Sequence, residues 1–161
     1  MSLRIEAFTR DSQSQVTALV LGIQRDEFGI AITAEEQPDL IDIPNFVQKG
    51  AGNFWVALSG ETVVGTIALL DRGGGLGALR KMFVAIDWRG REKRVESTLL
   101  ETLLAHARAH GLQEIVLGTT EAYHAAHRFY EKTGFTEIPA EALPAAFPRI
   151  KQDSKFYRLR L

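Results

Sequence analysis

Residues 82–111 read MFVAIDWRGREKRVESTLLETLLAHARAHG, and the pattern of the chain changes inside this stretch. Its start belongs to a strand-like run from about Leu76 to Ala85, with Leu79, Met82, Phe83 and Val84 as apolar members. From about Glu92 to His110 the period becomes helical. Val95, Leu99, Leu100, Leu103, Leu104 and Ala107 form one apolar stripe, the mark of an amphipathic helix, and Gly111 stops it. Between strand and helix, Arg89, Arg91, Lys93 and Arg94 place four cations within six residues. A helix N-terminus presents unpaired N–H groups and about half a positive charge, so cations there are unfavourable unless an anion visits. A phosphate group is the natural anion. The competing reading is a solvated charged turn, partly neutralised by Glu92 and Glu96.

Toward the C-terminus, EIVLGT (114–119) reads as a strand and EAYHAAHRFYEKT (121–133) as a helix ended by Gly134. Residues 135–138 start another strand, and KFYRLRL (155–161) is a last alternating one. Toward the N-terminus, NFWVAL (53–58) and TVVGTIALL (62–70) flank Ser59-Gly60-Glu61 as a hairpin. Residues 11–28 carry Val16, Leu19, Val20, Ile23 and Phe28 at helical spacing, with Asp11 or Ser12 as cap and Gly29 as stop. Pro38 and Pro44 frame a short helix, and LRIEAF (3–8) is a first strand. The order β-α-(α)-β-β-β-α-β-α-β-β describes a mixed α/β domain, one central mixed sheet with helices on both faces.

A length of 161 residues fits a single domain over 1–161. Lys plus Arg number 19 against 20 Asp plus Glu, so bulk charge gives no reason to expect nucleic-acid or membrane binding. The absence of cysteine excludes a thiol nucleophile and cysteine-ligated zinc, and is compatible with a reducing compartment. The start, MSLRIEAFTR, lacks the apolar core of a signal peptide, and no window approaches 18 consecutive apolar residues. The expectation is a soluble cytoplasmic protein. A homodimer is the default for such a protein.

Other motifs are set aside on their context. Asp71-Arg72-Gly73-Gly74-Gly75-Leu76-Gly77 precedes a strand rather than opening a helix, so it reads as a hairpin turn and not as a dinucleotide loop. His106 with His110, and His124 with His127, have helical spacing but no third ligand, so no metal is expected. No Ser stands in a G-x-S-x-G elbow. Residues 155–160 mix bases with aromatics and read as a strand with one wet face.

The ordered set of the opening stretch, then IVLGTT (115–120), then AYHAAHRFYEKTGF (122–135), resembles the GNAT superfamily of acetyl-CoA-dependent N-acetyltransferases. The resemblance covers about residues 78–138, and the element order extends it over nearly the whole chain. Leu143-Pro144-Ala145-Ala146-Phe147-Pro148 with Asp153-Ser154-Lys155-Phe156-Tyr157 also resembles a bacterial branch of that superfamily with uncharacterised substrates. The resemblance implies the GNAT sheet, acetyl-CoA as acetyl donor without a metal, and direct transfer to a primary amine of a small molecule or peptide.

The pyrophosphate loop of the superfamily reads Q/R-x-x-G-x-G/A, and alignment on Leu99-Leu100 puts its first position at Arg91. The resemblance thereby assigns coenzyme binding to Arg89, Arg91, Glu92, Lys93, Arg94, Val95 and Glu96. The two small positions fall on Arg94 and Glu96, and neither is small. Glycine there lets a diphosphate approach the backbone N–H groups. Arg94 offers a charge-assisted bond in exchange, whereas Glu96 in a first turn competes for the N–H groups and repels the diphosphate. A fold that binds or regulates without catalysing is the alternative this departure raises.

By the same resemblance, Met82, Phe83 and Val84 lie on the strand that pairs with the pantetheine arm. Tyr123, where the superfamily often has asparagine, Ala126 and Phe129 border the coenzyme. Tyr130 is the tyrosine of the FYEKxGF motif, a general acid for the departing thiolate; helix packing is its competing role. A Glu, an Asp or a chain of waters can take the proton of the amine. Glu27 is a candidate, against a role as a surface acid.

Overall fold

The computed structural model describes residues 3–90, 92–121, 123–151 and 153–161. Seven strands form one sheet in the order β1-β2-β3-β4-β5-β7-β6. They are β1 (Leu3–Ala7), β2 (Asn53–Ser59), β3 (Thr62–Asp71), β4 (Leu76–Val84), β5 (Glu114–Thr119), β6 (Thr136–Ile138) and β7 (Lys155–Arg160). β4 and β5 run parallel, and the other neighbours are antiparallel.

Alternation along the strands sends side chains to two cores. On one face Trp55, Ala57, Ile67 and Leu69 pack against α4 (Val95–Ala109). Val95, Leu99, Leu100, Leu103 and Ala107 are the buried stripe of this helix. On the other face Phe54, Val56, Ala68 and Leu70 pack against α1 (Gln13–Leu21), α2 (Pro38–Ile41) and α3 (Ile43–Phe46). The last helix, α5 (His124–Lys132), joins the first core through Tyr130. The sequence-based fold class stands, with differences at helix ends.

Ser12 makes no side-chain cap, because its backbone already has helical angles after a 3-10 turn at Arg10–Ser12. α1 widens into a π-helical turn over Gly22–Glu27. Two one-turn helices, each with proline in its first turn, replace the single short helix expected between 30 and 50. α4 begins at Val95 rather than near Glu92, since Arg94 takes left-handed backbone angles (φ 60°, ψ 17°) that no helix contains. Asp71 closes the β3–β4 turn by accepting from the N–H groups of Ala51 (2.9 Å) and Gly73 (3.0 Å), as a glycine-rich hairpin requires. No helix among the described residues is long and apolar enough to cross a membrane.

Candidate active site

The parallel join opens into a cleft. β4 pairs with β5 only at Leu76↔Glu114, Gly77↔Ile115 and Ala78↔Val116. Beyond that point β4 stays with β3 as far as Val84, while β5 stays with β7 as far as Thr119. The strands splay, and among the described residues the edge of β4 from Leu79 to Val84 has no strand partner on that side. A buried edge with unpaired N–H and C=O groups needs a partner from elsewhere, and an extended amide-bearing chain is a suitable one.

A bulge sharpens the departure of β4. The β3–β4 register runs from Thr66↔Phe83 to Ala68↔Arg80, so Lys81 and Met82 together face Ile67. Lys81 is left-handed at φ 52°, and the Thr66 hydroxyl donates to its carbonyl oxygen at 2.7 Å. A lysine at this angle costs roughly 1–2 kcal/mol. The packing around the bulge, with Thr66 fully buried, holds it there.

The cleft has a volume of about 780 Å³. Met82, Phe83 and Val84 form its β4 wall, and Tyr123, Ala126, Phe129 and Tyr130 come from the α5 side. Arg89, Arg94 and Glu96 lie at its mouth near the start of α4. Glu92, Lys93 and Val95 do not line it. Glu92 and Lys93 are exposed, with the Lys93 ammonium 5.4 Å from the centre of the Trp88 ring, and Val95 is fully buried in the core. Arg91 lies outside the described residues.

Tyr130 is 5% exposed, and its hydroxyl meets the Met82 sulfur at 3.6 Å, a weak acceptor. Burial holds the phenol protonated well above its ordinary range, with Tyr123 and Tyr157 acting in the same direction. The Tyr123 ring stands edge-on to Phe28 at 4.5 Å and to Phe83 at 6.2 Å, tying the end of the π-turn to β4. Burial, aided by the Glu27 charge, pushes the Tyr123 phenol up to about 12.

Glu27 is paired with Arg89 through two contacts, Oε1 with Nη1 and Oε2 with Nη2, the latter at 2.7 Å. Arg89 Nε also donates to the Val84 carbonyl at 2.8 Å, so this pair clamps the end of β4 to the π-turn. The hydrogen bond from Arg89 holds the Glu27 carboxyl below the usual carboxylate range, against the effect of burial, which makes it a poor proton acceptor.

Arg94 points away from the core, its side chain 65% exposed and 3.7 Å from Glu101. Three of the four histidines are engaged with backbone. His106 Nε2 lies 2.9 Å from the Ala51 carbonyl oxygen, His110 Nδ1 2.8 Å from that of His106, and His127 Nε2 2.8 Å from that of Thr120.

The sequence reading missed a charged group in the cleft, between β4 and the end of β5. Arg80, Lys81 and Asp153 line it, and Asp39 stands behind them. Asp39 Oδ2 is 3.0 Å from Lys81 Nζ and 3.6 Å from Arg80 Nη2, with the three side chains 4–10% exposed. Burial pushes the Lys81 ammonium below the usual lysine range, against the pull of Asp39. The available signal was Arg80-Lys81 inside LGALRKMFV, two charges in the middle of an apolar strand.

Comparison with known proteins agrees with this geometry. The Acetyltransferase (GNAT) family matches residues 18–135. The crystal structure of an acetyltransferase of GNAT family from Staphylococcus aureus Mu50 superimposes with a TM-score of 0.94, at 31% identity over 99% of both chains. An acetyltransferase from Streptococcus agalactiae 2603 gives the same TM-score at 33% identity, over 99% of this chain and 98% of its own. N-acetylaspartate synthetase of Mus musculus is 34% identical over 105 residues, 63% of this chain and 34% of that protein. The curated relatives are longer proteins, of which the matched region is between about a third and a half.

Proposed function

This chain belongs to the GNAT acetyltransferase family, and from that premise we propose that it moves an acetyl group directly from acetyl-CoA to a primary amine of a small molecule or peptide. The observation that carries the reading is the splay of β4 from β5 after Ala78 and Val116. On this reading the strand edge at Met82–Val84 takes the amide-bearing pantetheine arm, and Arg94, which lines the cleft just before α4, is available to the diphosphate. Tyr123, Ala126 and Phe129 make the opposite wall. When bound, acetyl-CoA supplies an activated acyl thioester.

Tyr130 holds a proton at its phenol oxygen beside Met82, in the depth of the cleft. Because burial raises its pKa, this phenol gives up a proton to a departing thiolate only as another proton leaves the attacking nitrogen. That coupling favours a general acid over a phenolate nucleophile, and transfer without a covalent enzyme intermediate. The name of the mouse relative, a synthetase of an N-acetylated product, supports nitrogen as the acceptor atom.

A second reading, a binding module without catalysis, draws on one observation: Arg94 and Glu96 occupy positions that a diphosphate loop keeps small. Calorimetric titration with acetyl-CoA, followed by release of coenzyme thiol in the presence of primary amines, separates the two. The proposed function expects binding to each chain and thiol release that requires an amine. Tight binding without release, whatever amine is offered, would favour the module. Absence of binding would overturn acetyl-CoA as donor.

A further inference from the structure

The amine acceptor must enter the cleft from the side not taken by the coenzyme, and the charged group there is unused by the chemistry above. Three charged side chains line that side, two cations and one carboxylate: Arg80, Lys81 and Asp153. The carboxylate of Asp39 behind them brings the set to electrical balance. A set of this kind is complemented by a ligand that carries both an ammonium and a carboxylate.

Both cations keep donors in reserve. Arg80 donates through Nη1 to the Pro148 carbonyl at 2.9 Å and reaches Asp39 through Nη2, which leaves Nε–H and further N–H groups of its fork. Lys81 donates to Asp39 with one of its three N–H bonds.

Asp153 is 7% exposed and held in place. Its Oδ2 accepts from the Ile150 N–H at 3.1 Å, while among the described residues Oδ1 accepts no hydrogen bond. The carboxyl lies over Gly118 of β5, where an added Cβ would stand 2.6 Å from both Cγ and Oδ2. The missing side chain of Gly118 thus makes room for this carboxyl at the splay. Around this charged group the wall is mostly apolar, with Ile23, Phe28, Ile30, Ile32 and Ile150, and its polar members Gln24 and Glu27 are taken up by Gln37 and Arg89.

We propose that the acceptor is a free amino acid with an apolar side chain, its carboxylate on Arg80 and Lys81 and its amine on Asp153, which takes the first proton from nitrogen. The inference rests on the acetyltransferase reading given above. The ammonium loses one proton to Asp153 and its freed lone pair forms the bond to the acetyl carbon. The C–S bond breaks, and the sulfur is protonated by Tyr130, which recovers its proton from the nitrogen. Asp153 returns its own proton to solvent, so the products are the N-acetylated amino acid, the coenzyme thiol and one proton. Burial raises the Asp153 carboxyl above the usual aspartate range, opposed by the Ile150 N–H and by the charges of Arg80, Lys81 and Arg149. A raised carboxyl is a stronger base than a solvated one, which suits the role.

The test compares amino acids with their decarboxylated counterparts on the unaltered protein: L-leucine against isoamylamine, and L-phenylalanine against phenethylamine. A site built to bind a carboxylate should favour each amino acid by about 100-fold or more in kcat/KM. It should also show a rise in melting temperature with the amino acid alone. Equal use of the paired amines, or acetyl-CoA binding with no amino acid turned over, would overturn the inference and leave the donor reading intact. If acetyl-CoA itself failed to bind, the melting shift would still decide, and no shift with either amino acid would sink the proposal.

Asp153→Asn keeps an acceptor for the Ile150 N–H. It should lower kcat by about 10²- to 10⁴-fold and remove the acid limb of the pH profile, with acetyl-CoA affinity unchanged. Arg80→Gln should raise KM for L-leucine but not for isoamylamine. An unaltered kcat and pH profile in the Asn variant would remove Asp153 from the reaction.

Discussion

Tyr130 and Lys81 show how one residue takes its role from its surroundings. Tyr130 is part of an aromatic group with Phe135 and Tyr157, at ring-centre distances of 5.6 and 5.9 Å, so its competing role as a packing residue is real. Ring and hydroxyl separate the two roles. The ring packs, while among the described residues the hydroxyl has only a sulfur as partner, and a weak acceptor contributes little to stability. Tyr130→Phe should therefore fold and bind coenzyme as the parent does. Its turnover should fall by about 10- to 1000-fold, read by thiol release under saturating acetyl-CoA. An unchanged rate would assign Tyr130 to packing alone. Lys81 is the reverse case: its sequence context says strand, yet its left-handed backbone and buried ammonium place it where the strand is bent.

At the scale of elements, the junction of β4 and α4 decides how the cleft meets a diphosphate. The left-handed Arg94 sits immediately before the helix, at a conformation glycine adopts without strain. Replacing it by glycine removes a strain of roughly 1–2 kcal/mol, against about 0.4–1 kcal/mol of added freedom in the unfolded chain. Arg94→Gly should thus melt no earlier than the parent. A reading of Arg94 as a helical residue expects the opposite sign, since glycine inside a helix costs up to about 1 kcal/mol. The further change Glu96→Ala removes a carboxylate that favours the helix N-terminus by about 0.3–1 kcal/mol, which offsets that gain. The double variant frees the first-turn N–H groups and should bind acetyl-CoA at least tenfold more tightly, about 1.4 kcal/mol, by calorimetric titration. Equal, tight binding by parent and variant would identify Arg94 as a phosphate ligand in its own right.

Across the whole molecule, two cores pack the sheet on opposite faces. Gly65 of β3 lets the first turn of α4 lie close, since a Cβ there would stand 3.0 Å from Val95 and 3.1 Å from Leu99. Gly65→Ala should cost about 1–3 kcal/mol through overpacking, seen as a lower melting temperature, and should weaken coenzyme binding by lifting the start of α4. Acid acts on the same framework. Asp71 in the β3–β4 turn and Glu27 in the Arg89 clamp both have depressed pKa values, from the backbone N–H bonds of Ala51 and Gly73 and from the Arg89 bond respectively. Their contribution is present above the unfolded-state values and is lost as pH falls below about 4. Melting temperature should fall along that range, and Asp71→Asn should flatten part of the slope.

The sequence by itself determined the periodicities, and through them the strand-to-helix junction at 82–111, the hairpins, the two-faced sheet and the tyrosine of FYEKTGF. These are local patterns, and burial of an apolar stripe or an alternating face leaves few ways to satisfy them. The splay, the bulge at Lys81 and the joining of Asp39, Arg80, Lys81 and Asp153 are different in kind. Asp39 and Asp153 stand 114 positions apart in the chain, and nothing in their immediate neighbours distinguishes a surface carboxylate from a buried one. Only tertiary structure brings them beside β4, where the β4–β5 ladder ends at Ala78 and the buried charges can pair with one another across elements far apart in the chain.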